Sequence, residues 1–418
     1  MAYIRRWAEA EYRLAETIFK AAIFSGVRQC GKTTLMRECL PHDAAYVSLD
    51  KKNLRQAAEE APGGFLQQYR GLSCLAIDEV QKVPALFSEI KAFADESPRL
   101  RQFLLSGSSN YKTMPTIHES MAGRLGEVRL RPMTEGEIQG HPSRFVDRVC
   151  SADICGTLSA ADCSKRLILE KALRGGFPQV LQMQGEQRDY WYEAYVGSLV
   201  TRDLLELGDF RKPQYMRMLL QQCAASSSRK VNVSVMSAAM ETNRPTVLQY
   251  LAALQTMFLV ELVPAWQNKI TKRVASTPKL MLCDSGLMAY LTDLGSVDAA
   301  LTVEDKAKTD LVGNLIETWV YQQLIPITDL GRKWKLYHFR NASGKEIDFI
   351  LENRNGDLVC LEVKASEGVK AEHFKKLRWF REQFGKERRI WSVVLYTGHD
   401  VLRYGDNEYA LPMAYLWL

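Results

Sequence analysis

Gly26-Val27-Arg28-Gln29-Cys30-Gly31-Lys32-Thr33 decides how the amino-terminal part of the chain is read. It follows Ala21-Ala22-Ile23-Phe24, an apolar run that reads as a buried strand, and leads into Thr34-Leu35-Met36-Arg37-Glu38, which reads as a helix start. Glycine, four residues, glycine, lysine, then serine or threonine is a phosphate-binding pattern, and it needs this strand-to-helix setting. The glycines let the backbone wrap a phosphate. The amides from Gly26 and Arg28 through Gln29, Cys30, Gly31, Lys32, Thr33 and Thr34 then point at the anion from the helix N-terminus. Lys32 would reach the β- and γ-phosphates, and Thr33 would bind Mg²⁺.

The surrounding residues supply partners for that loop. Residues 7–20 place Trp7, Tyr12, Leu14 and Ile18 at helical spacing, a helix that would pack against the strand before the loop. Ala45 to Asp50 reads as a strand, and Cys74-Leu75-Ala76-Ile77-Asp78-Glu79 as an apolar strand ending in two acids. Asp78 would hold Mg²⁺ through water and Glu79 would polarise the attacking water. The plainer reading is a strand that ends in solvated acids. Gln102 to Leu105 is a third strand, ending in Ser106-Gly107-Ser108-Ser109-Asn110, polar groups that would sense a γ-phosphate or simply make a turn. Arg124, in Met121-Ala122-Gly123-Arg124 ahead of a fourth strand (126–130), would act as an arginine finger in a neighbouring subunit or form a surface ion pair.

A chain of 418 residues suggests two or three domains, at ~100–200 residues each. The net charge of +6 is mildly basic, which permits a nucleic-acid partner without requiring one. Nine cysteines form no paired framework, and Cys150, Cys155 and Cys163 do not have zinc spacing, so reduced thiols in a cytoplasm are expected. Neither a signal peptide nor a membrane span is expected from the sequence.

Gly26 to Thr34, Leu75 to Glu79, Leu105 to Ser109 and Ala122-Gly123-Arg124 resemble the prokaryotic AAA-type ATPases that carry a C-terminal domain of unknown function. The resemblance extends to Gly175-Gly176-Phe177-Pro178, Arg202-Asp203 and Lys279 through Asp284-Ser285-Gly286-Leu287. It implies ATP as the nucleotide. Cys30 departs from the family, which commonly has an aliphatic residue there. A thiol at that place would feel the helix N-terminus and Lys32, both favouring thiolate and hence oxidation that blocks the site; alternatively it is a small residue that fits.

Residues 141–212 read as helical, with Trp191, Tyr195, Leu199, Leu204 and Leu205 as a core stripe. Residues 213–295 read as a winged helix-turn-helix. A first helix holds Met216 to Cys223, and a second, Val233 to Met240, would be capped by Ser234. A third begins at Pro245, and an apolar strand, 257–263, follows. Asn243, Arg244, Thr246 and Gln249 would face a duplex, with Lys269, Lys272 and Arg273 on phosphates, although such modules also bind proteins.

The carboxyl-terminal part, 296–418, reads α-β-β-β-α-β: a helix around 313–320, strands 334–340, 346–352 and 357–364, a helix near 370–384, and a strand at 389–396. Residues two apart on a strand share a face, so Glu362 and Lys364 project together, and Asp348 joins them if the strands pair. Two acids and a lysine on a sheet could bind Mg²⁺ and orient a water toward a phosphodiester. The pattern resembles the PD-(D/E)XK, or restriction-endonuclease-like, fold. That resemblance places Glu317, Asp348, Glu362 and Lys364 in its site, the three acids as metal ligands. Lys370, Lys375, Lys376, Arg378, Arg381, Lys386, Arg388 and Arg389 form a basic stretch beside it, either a solvated face or a phosphate-tracking surface.

The sequence therefore predicts an α/β protein in four parts. These are a P-loop AAA-like ATPase domain (1–140), a helical connector (141–212), a winged-helix region (213–295) and a nuclease-like α/β domain (296–418). Catalysis would rest on Lys32, Asp78 and Glu79 at one site and on Asp348, Glu362 and Lys364 at the other. ATP and Mg²⁺ are the expected cofactors, with DNA and a second copy of the chain as possible partners and no membrane. Nucleotide state would control nucleic-acid binding or cleavage, or gate a scaffold that does not cut.

Overall fold

The computed structural model describes residues 3–96, 99–108, 121, 123–154, 158, 163–204, 207–208, 210, 212–269, 273, 276–302 and 305–418. Ser109, Asn110, Ala122, Cys155, Leu205 and Lys272, named above, lie outside the described residues. The chain divides into two compact units, Met1–Pro132 with Thr256–Phe258, and Met133–Gln255 with Leu259–Leu418.

The first unit is built on five parallel strands: β1 (Ala21–Ser25), β2 (Ala45–Ser48), β3 (Leu75–Asp78), β4 (Phe103–Gly107) and β5 (Leu125–Arg129). Their order is β2-β3-β4-β1-β5. β1, β3 and β4 are buried along their whole length, which is why they read as unbroken apolar runs rather than alternating ones. The register sets Ile23 beside Leu105 and Ile77 beside Leu105, so the carboxyl ends of β1, β3 and β4 finish level. Ile23, Ile77, Leu105, Leu86, Phe87 and Ile90 form the core on one face, with helix Ala85–Glu96 laid over it. Each such side chain contributes about 1.5–3 kcal/mol by leaving water. Helix Ala8–Ala15 sends Tyr12 against Phe24, ring centroids 5.4 Å apart, and the phosphate-loop helix is Lys32–Cys39.

The second unit begins with residues 133–140, ahead of the expected division at 140. The Met133 amide bonds the Gly176 carbonyl, and buried Glu135 pairs with Lys171 and Arg174. Helix Pro213–Ala225, strand β6 (Arg229–Lys230), helices Val233–Ala239 and Arg244–Thr256, and strands β7 (Val260–Val263) and β8 (Lys279–Leu282) follow in order. The three strands pair β6-β8-β7, all antiparallel. Asn232, not Ser234, caps the second helix: its side chain accepts from the Val235 amide at 3.1 Å. The cap therefore sits two residues earlier than the sequence suggested, and Ser234 lies inside the first turn.

Helix Lys306–Asp329 leads to a six-stranded sheet, β13-β14-β12-β11-β10-β9. Its strands are β9 (Trp334–Arg340), β10 (Glu346–Asn353), β11 (Leu358–Lys364), β12 (Ile390–Tyr396), β13 (Leu402–Gly405) and β14 (Glu408–Pro412). β9, β10 and β11 form an antiparallel meander, and β12 joins β11 in parallel after helix Lys375–Phe384. That helix buries Leu377 and Phe380 against Trp266, Phe339 and Ile350. β13 and β14, which extend the sheet beyond β12, were not anticipated.

Several of the residues that carried the later part of the sequence resemblance form a buried hub. Asp284 caps helix Ser285–Leu291 through the Leu287 amide (2.8 Å) and also accepts from the Gly176 amide (2.7 Å) and the Tyr192 hydroxyl (3.0 Å). Gly175 has φ +76°, and a Cβ there would lie 2.4 Å from the Asp284 carboxylate, so only glycine lets the two segments meet. Phe177 packs among Trp191, Tyr192 and Tyr195.

Candidate functional site

The phosphate loop is a set of backbone conformations before it is a set of side chains. Gly26 (φ +151°), Gln29 (φ +64°) and Gly31 (φ +101°) take positive φ. A Cβ on Gly26 would stand 2.0 Å from the Leu130 carbonyl oxygen, so the close approach of loop to strand end requires glycine. Buried Arg6 ties the loop down: its guanidinium donates to the Cys30 carbonyl at 2.9 Å and to the Arg131 carbonyl at 2.6 Å. No local pattern marks this role, because Arg6 lies 125 residues from Arg131.

Lys32 starts the helix and donates to the carbonyls of Gly26 (2.8 Å) and Val27 (2.9 Å), which holds its ammonium inside the loop. Arg28, Gln29, Thr33 and Thr34 complete the loop and the first turn of its helix. Cys30 is wholly buried with its sulfur 3.5 Å from the Leu130 carbonyl oxygen. That burial is what a small residue filling the space would show.

The insertion of β4 between β1 and β3 brings the two strand-end acids to the loop. Thr33 Oγ1 donates to Asp78 Oδ2 at 2.9 Å, and the Tyr46 hydroxyl donates to the same oxygen at 2.7 Å. Ser106 Oγ donates to Asp78 Oδ1 and accepts from the Glu79 amide at 3.3 Å. Glu79 itself has φ +58°, an uncommon conformation for a residue with a side chain. Its Oε2 accepts from the Ser108 hydroxyl at 3.2 Å and from the Gln81 amide. Ser106 and Ser108 thus meet the acids directly. Tyr46 and Gln81 were missed by sequence reading; Tyr46 is on β2, whose pairing with β3 only the fold reveals. Thr33 and Asp78 offer hard oxygen donors side by side, a set that fits Mg²⁺. Arg124 makes two bonds to Asp95, at 2.5 and 3.0 Å, the surface ion pair the sequence allowed.

The carboxyl-terminal acids do assemble on one sheet but arrive already engaged. β10 carries a bulge in which Asp348 and Phe349 lie opposite His338 alone, between the pairs Ile347–Phe339 and Ile350–Tyr337. The bulge aims the Asp348 carboxylate at β11, where Oδ2 accepts from the Val363 amide at 2.8 Å. Glu362 is buried; its Oε1 accepts from Lys364 (2.8 Å) and Lys376 (3.2 Å), while Oε2 is buried without a partner. Burial and then the Asp348 charge push the Glu362 carboxyl up to about 7. Glu317 is bound by Lys279, Nζ to Oε1 2.6 Å. Lys279 is fully buried, and Nζ also lies 3.3 Å from the Asp348 carbonyl oxygen and 3.5 Å from Glu346. Burial alone would lower its pKa, but Glu317, Asp348 and Glu346 outweigh that and hold the ammonium above the usual lysine range. Among the described residues no group of three or more His, Cys, Asp or Glu side chains is arranged to hold a metal ion. Of the expected ligand set, Glu317 and Glu362 face protein ammonium groups and Asp348 faces a backbone amide.

Much of the basic stretch is also committed internally. Arg378 and Arg381 clasp buried Glu408, and Arg388 bonds Asn268. Arg273 is paired with Glu352 at 2.6 and 2.9 Å, so it is not a phosphate contact as expected. Lys370, Lys375, Lys386 and Arg389 lie at the surface, as does Lys269. On the helix pair, Asn243 caps its helix through the Thr246 amide at 2.9 Å, and Arg244 and Gln249 are exposed.

The same segments stand out against known proteins. Residues 19–139 match the family model described as AAA domain. That match implies ATP binding, and the parallel sheet of the first unit is consistent with it. Residues 165–298 match a domain of unknown function, DUF8612, and residues 312–416 another, DUF4143. Uncharacterized proteins of Mycobacterium tuberculosis and Mycobacterium bovis are each 28% identical over 350 residues, covering 83% of this chain and 71% of theirs. A Pyrococcus horikoshii signal transduction ATPase with numerous domains, bearing a tetratricopeptide repeat sensor, aligns with TM-score 0.21 and 11% identity over 79% of this chain. This chain spans about half of that protein, 52%. A Vibrio cholerae protein aligns with TM-score 0.19 and 11% identity, covering 92% and 90%. Scores this low bear on neither fold nor function. No helix among the described residues is long and apolar enough to cross a membrane.

Proposed function

We propose that the chain is a magnesium-dependent ATP hydrolase whose nucleotide state controls nucleic-acid binding by the second unit. The observation that carries the first half is the meeting of Lys32, Thr33, Asp78, Glu79 and Ser106 at the carboxyl ends of three neighbouring strands. The loop amides receive the phosphates, and Lys32 exchanges its carbonyl partners for phosphate oxygens. Thr33 and Asp78 would hold Mg²⁺, which would supply positive charge against the phosphates. Glu79, steadied by Ser108 and Gln81, orients a water and takes its proton. Ser106 touches both acids and couples β4 to them.

The nucleic-acid half is supported by the helix, strand, helix, helix, strand, strand order and the β6-β8-β7 pairing, the arrangement of a winged helix, with Arg244 and Gln249 exposed. The order of the carboxyl-terminal elements supports a nuclease-like fold, with Glu317, Asp348, Glu362 and Lys364 at the positions of its motif. Binding without cutting is favoured over cleavage by one feature, the Lys279 ammonium on Glu317. DNA retention on a filter, measured with and without Mg-ATP, alongside plasmid nicking with Mg²⁺ or Mn²⁺, tests this half. Nucleotide-dependent retention without nicking is expected. Retention indifferent to nucleotide would refute the control, and nicking lost in both Asp348→Ala and Lys364→Ala would restore the nuclease.

A further inference from the structure

We propose that Lys279 is the resident cation of the carboxylate cluster at β10, β11 and helix Lys306–Asp329, so that the cluster takes no divalent metal. The inference extends the binding-without-cutting reading and rests on it only for the cluster's role, not for the ammonium's position.

An ammonium has three N–H donors. Lys279 Nζ finds three oxygens: Glu317 Oε1 at 2.6 Å, the Asp348 carbonyl at 3.3 Å and Glu346 Oε1 at 3.5 Å. Its aliphatic stem is buried to zero exposure, and the head lies 5.5 Å from the Phe349 ring centroid. The residue comes from β8, outside the elements that carry the acids, and is delivered by the pairing of β8 with β7 and β6.

Glu362 is likewise held by ammonium groups, and Asp348 by a backbone amide. Glu362 Oε1 receives Lys364 and Lys376, and Asp348 Oδ2 receives the Val363 amide. Three ammonium groups thus pair with three carboxylates, those of Glu317, Glu346 and Glu362. A Mg²⁺ or Mn²⁺ ion needs close octahedral oxygen ligation. It would have to take Glu317 from Lys279 and then sit beside the displaced, still buried ammonium. An unpaired buried ammonium is costly, and its charge repels the incoming ion. The partnerless Glu362 Oε2 is one oxygen, too few to offset this.

The test is Mn²⁺ binding by electron paramagnetic resonance, on the full chain without nucleotide, with Thr33→Ala in every protein so that the amino-terminal site does not contribute. The Lys279-intact protein should bind no Mn²⁺ that depends on Glu317. Lys279→Met should gain one bound equivalent, and adding Glu317→Gln should remove it. Glu317-dependent Mn²⁺ binding with Lys279 intact would overturn the proposal, as would a folded Lys279→Met protein that gains none. A second measurement needs no change at Lys279: thermal melting of the Thr33→Ala protein and its Glu317→Gln derivative with millimolar Mn²⁺. Equal melting shifts in the two support the proposal; a rise lost with Glu317 refutes it. ATP hydrolysis by the wild-type chain is scored separately, so failure of the ATPase reading leaves this result interpretable.

Discussion

His338 shows how a single side chain sets a pH limit. It is buried on β9; one ring nitrogen lies 3.2 Å from the Thr277 carbonyl, and Nδ1 is buried without a partner. Burial, then the charge of Lys279, lowers its pKa to about 4. Below pH 6.5 the unfolded chain takes a proton that the folded chain refuses, so stability is lost as pH falls from about 6.5 to about 4. The full loss is on the order of 3 kcal/mol. Urea unfolding across that window should show it for wild type and show a shallower loss for His338→Gln. Lys279 and Tyr46 belong to the same scale and were illegible for the same reason. A lysine 38 residues before its acid and a tyrosine 32 residues before its acid carry no local pattern. Asp78 and Glu79, by contrast, were legible, because an apolar run ending in two acids is a local pattern in its own right.

At the scale of elements, the loop and the hub make opposite demands on glycine and aspartate. Gly26→Ala should abolish nucleotide binding and destabilise the first unit by about 2–4 kcal/mol, since the new methyl meets a backbone carbonyl. Isothermal titration and chemical denaturation read the two effects. Asp284→Ala removes the acceptor of two amides and one hydroxyl. A loss of about 3 kcal/mol or more is expected, with little change in ATP turnover. The sequence marked these residues as belonging together but could not say why, because the contact between Gly176 and Asp284 spans 108 positions. Strands β9 to β12 were legible to within a residue or two, since each is a β-rich apolar run between turns. β13 and β14 were not: Leu402-Arg403-Tyr404-Gly405 is four residues with two exposed, and Glu408–Pro412, though buried, is five residues that begin with an acid and end in proline.

For the whole molecule, the basic stretch must be separated into structural and surface charges. Arg378→Glu sets a second carboxylate against buried Glu408 and should cost about 2 kcal/mol or more. Lys375→Glu with Lys386→Glu should leave stability within about 0.5 kcal/mol of wild type. The same pair should weaken DNA binding and flatten its salt dependence. Titrations at several salt concentrations, paired with melting curves, distinguish these outcomes. A charge reversal that included Arg378 would confuse lost folding with lost binding. Hydrolysis of radiolabelled ATP in the presence of Mg²⁺, by wild type, Lys32→Ala and Glu79→Gln, tests the central claim most directly. The account predicts turnover by wild type, no turnover or retention of nucleotide by Lys32→Ala, and retention without turnover by Glu79→Gln. Undiminished hydrolysis by Lys32→Ala, or no uptake of ATP by wild type, would contradict it.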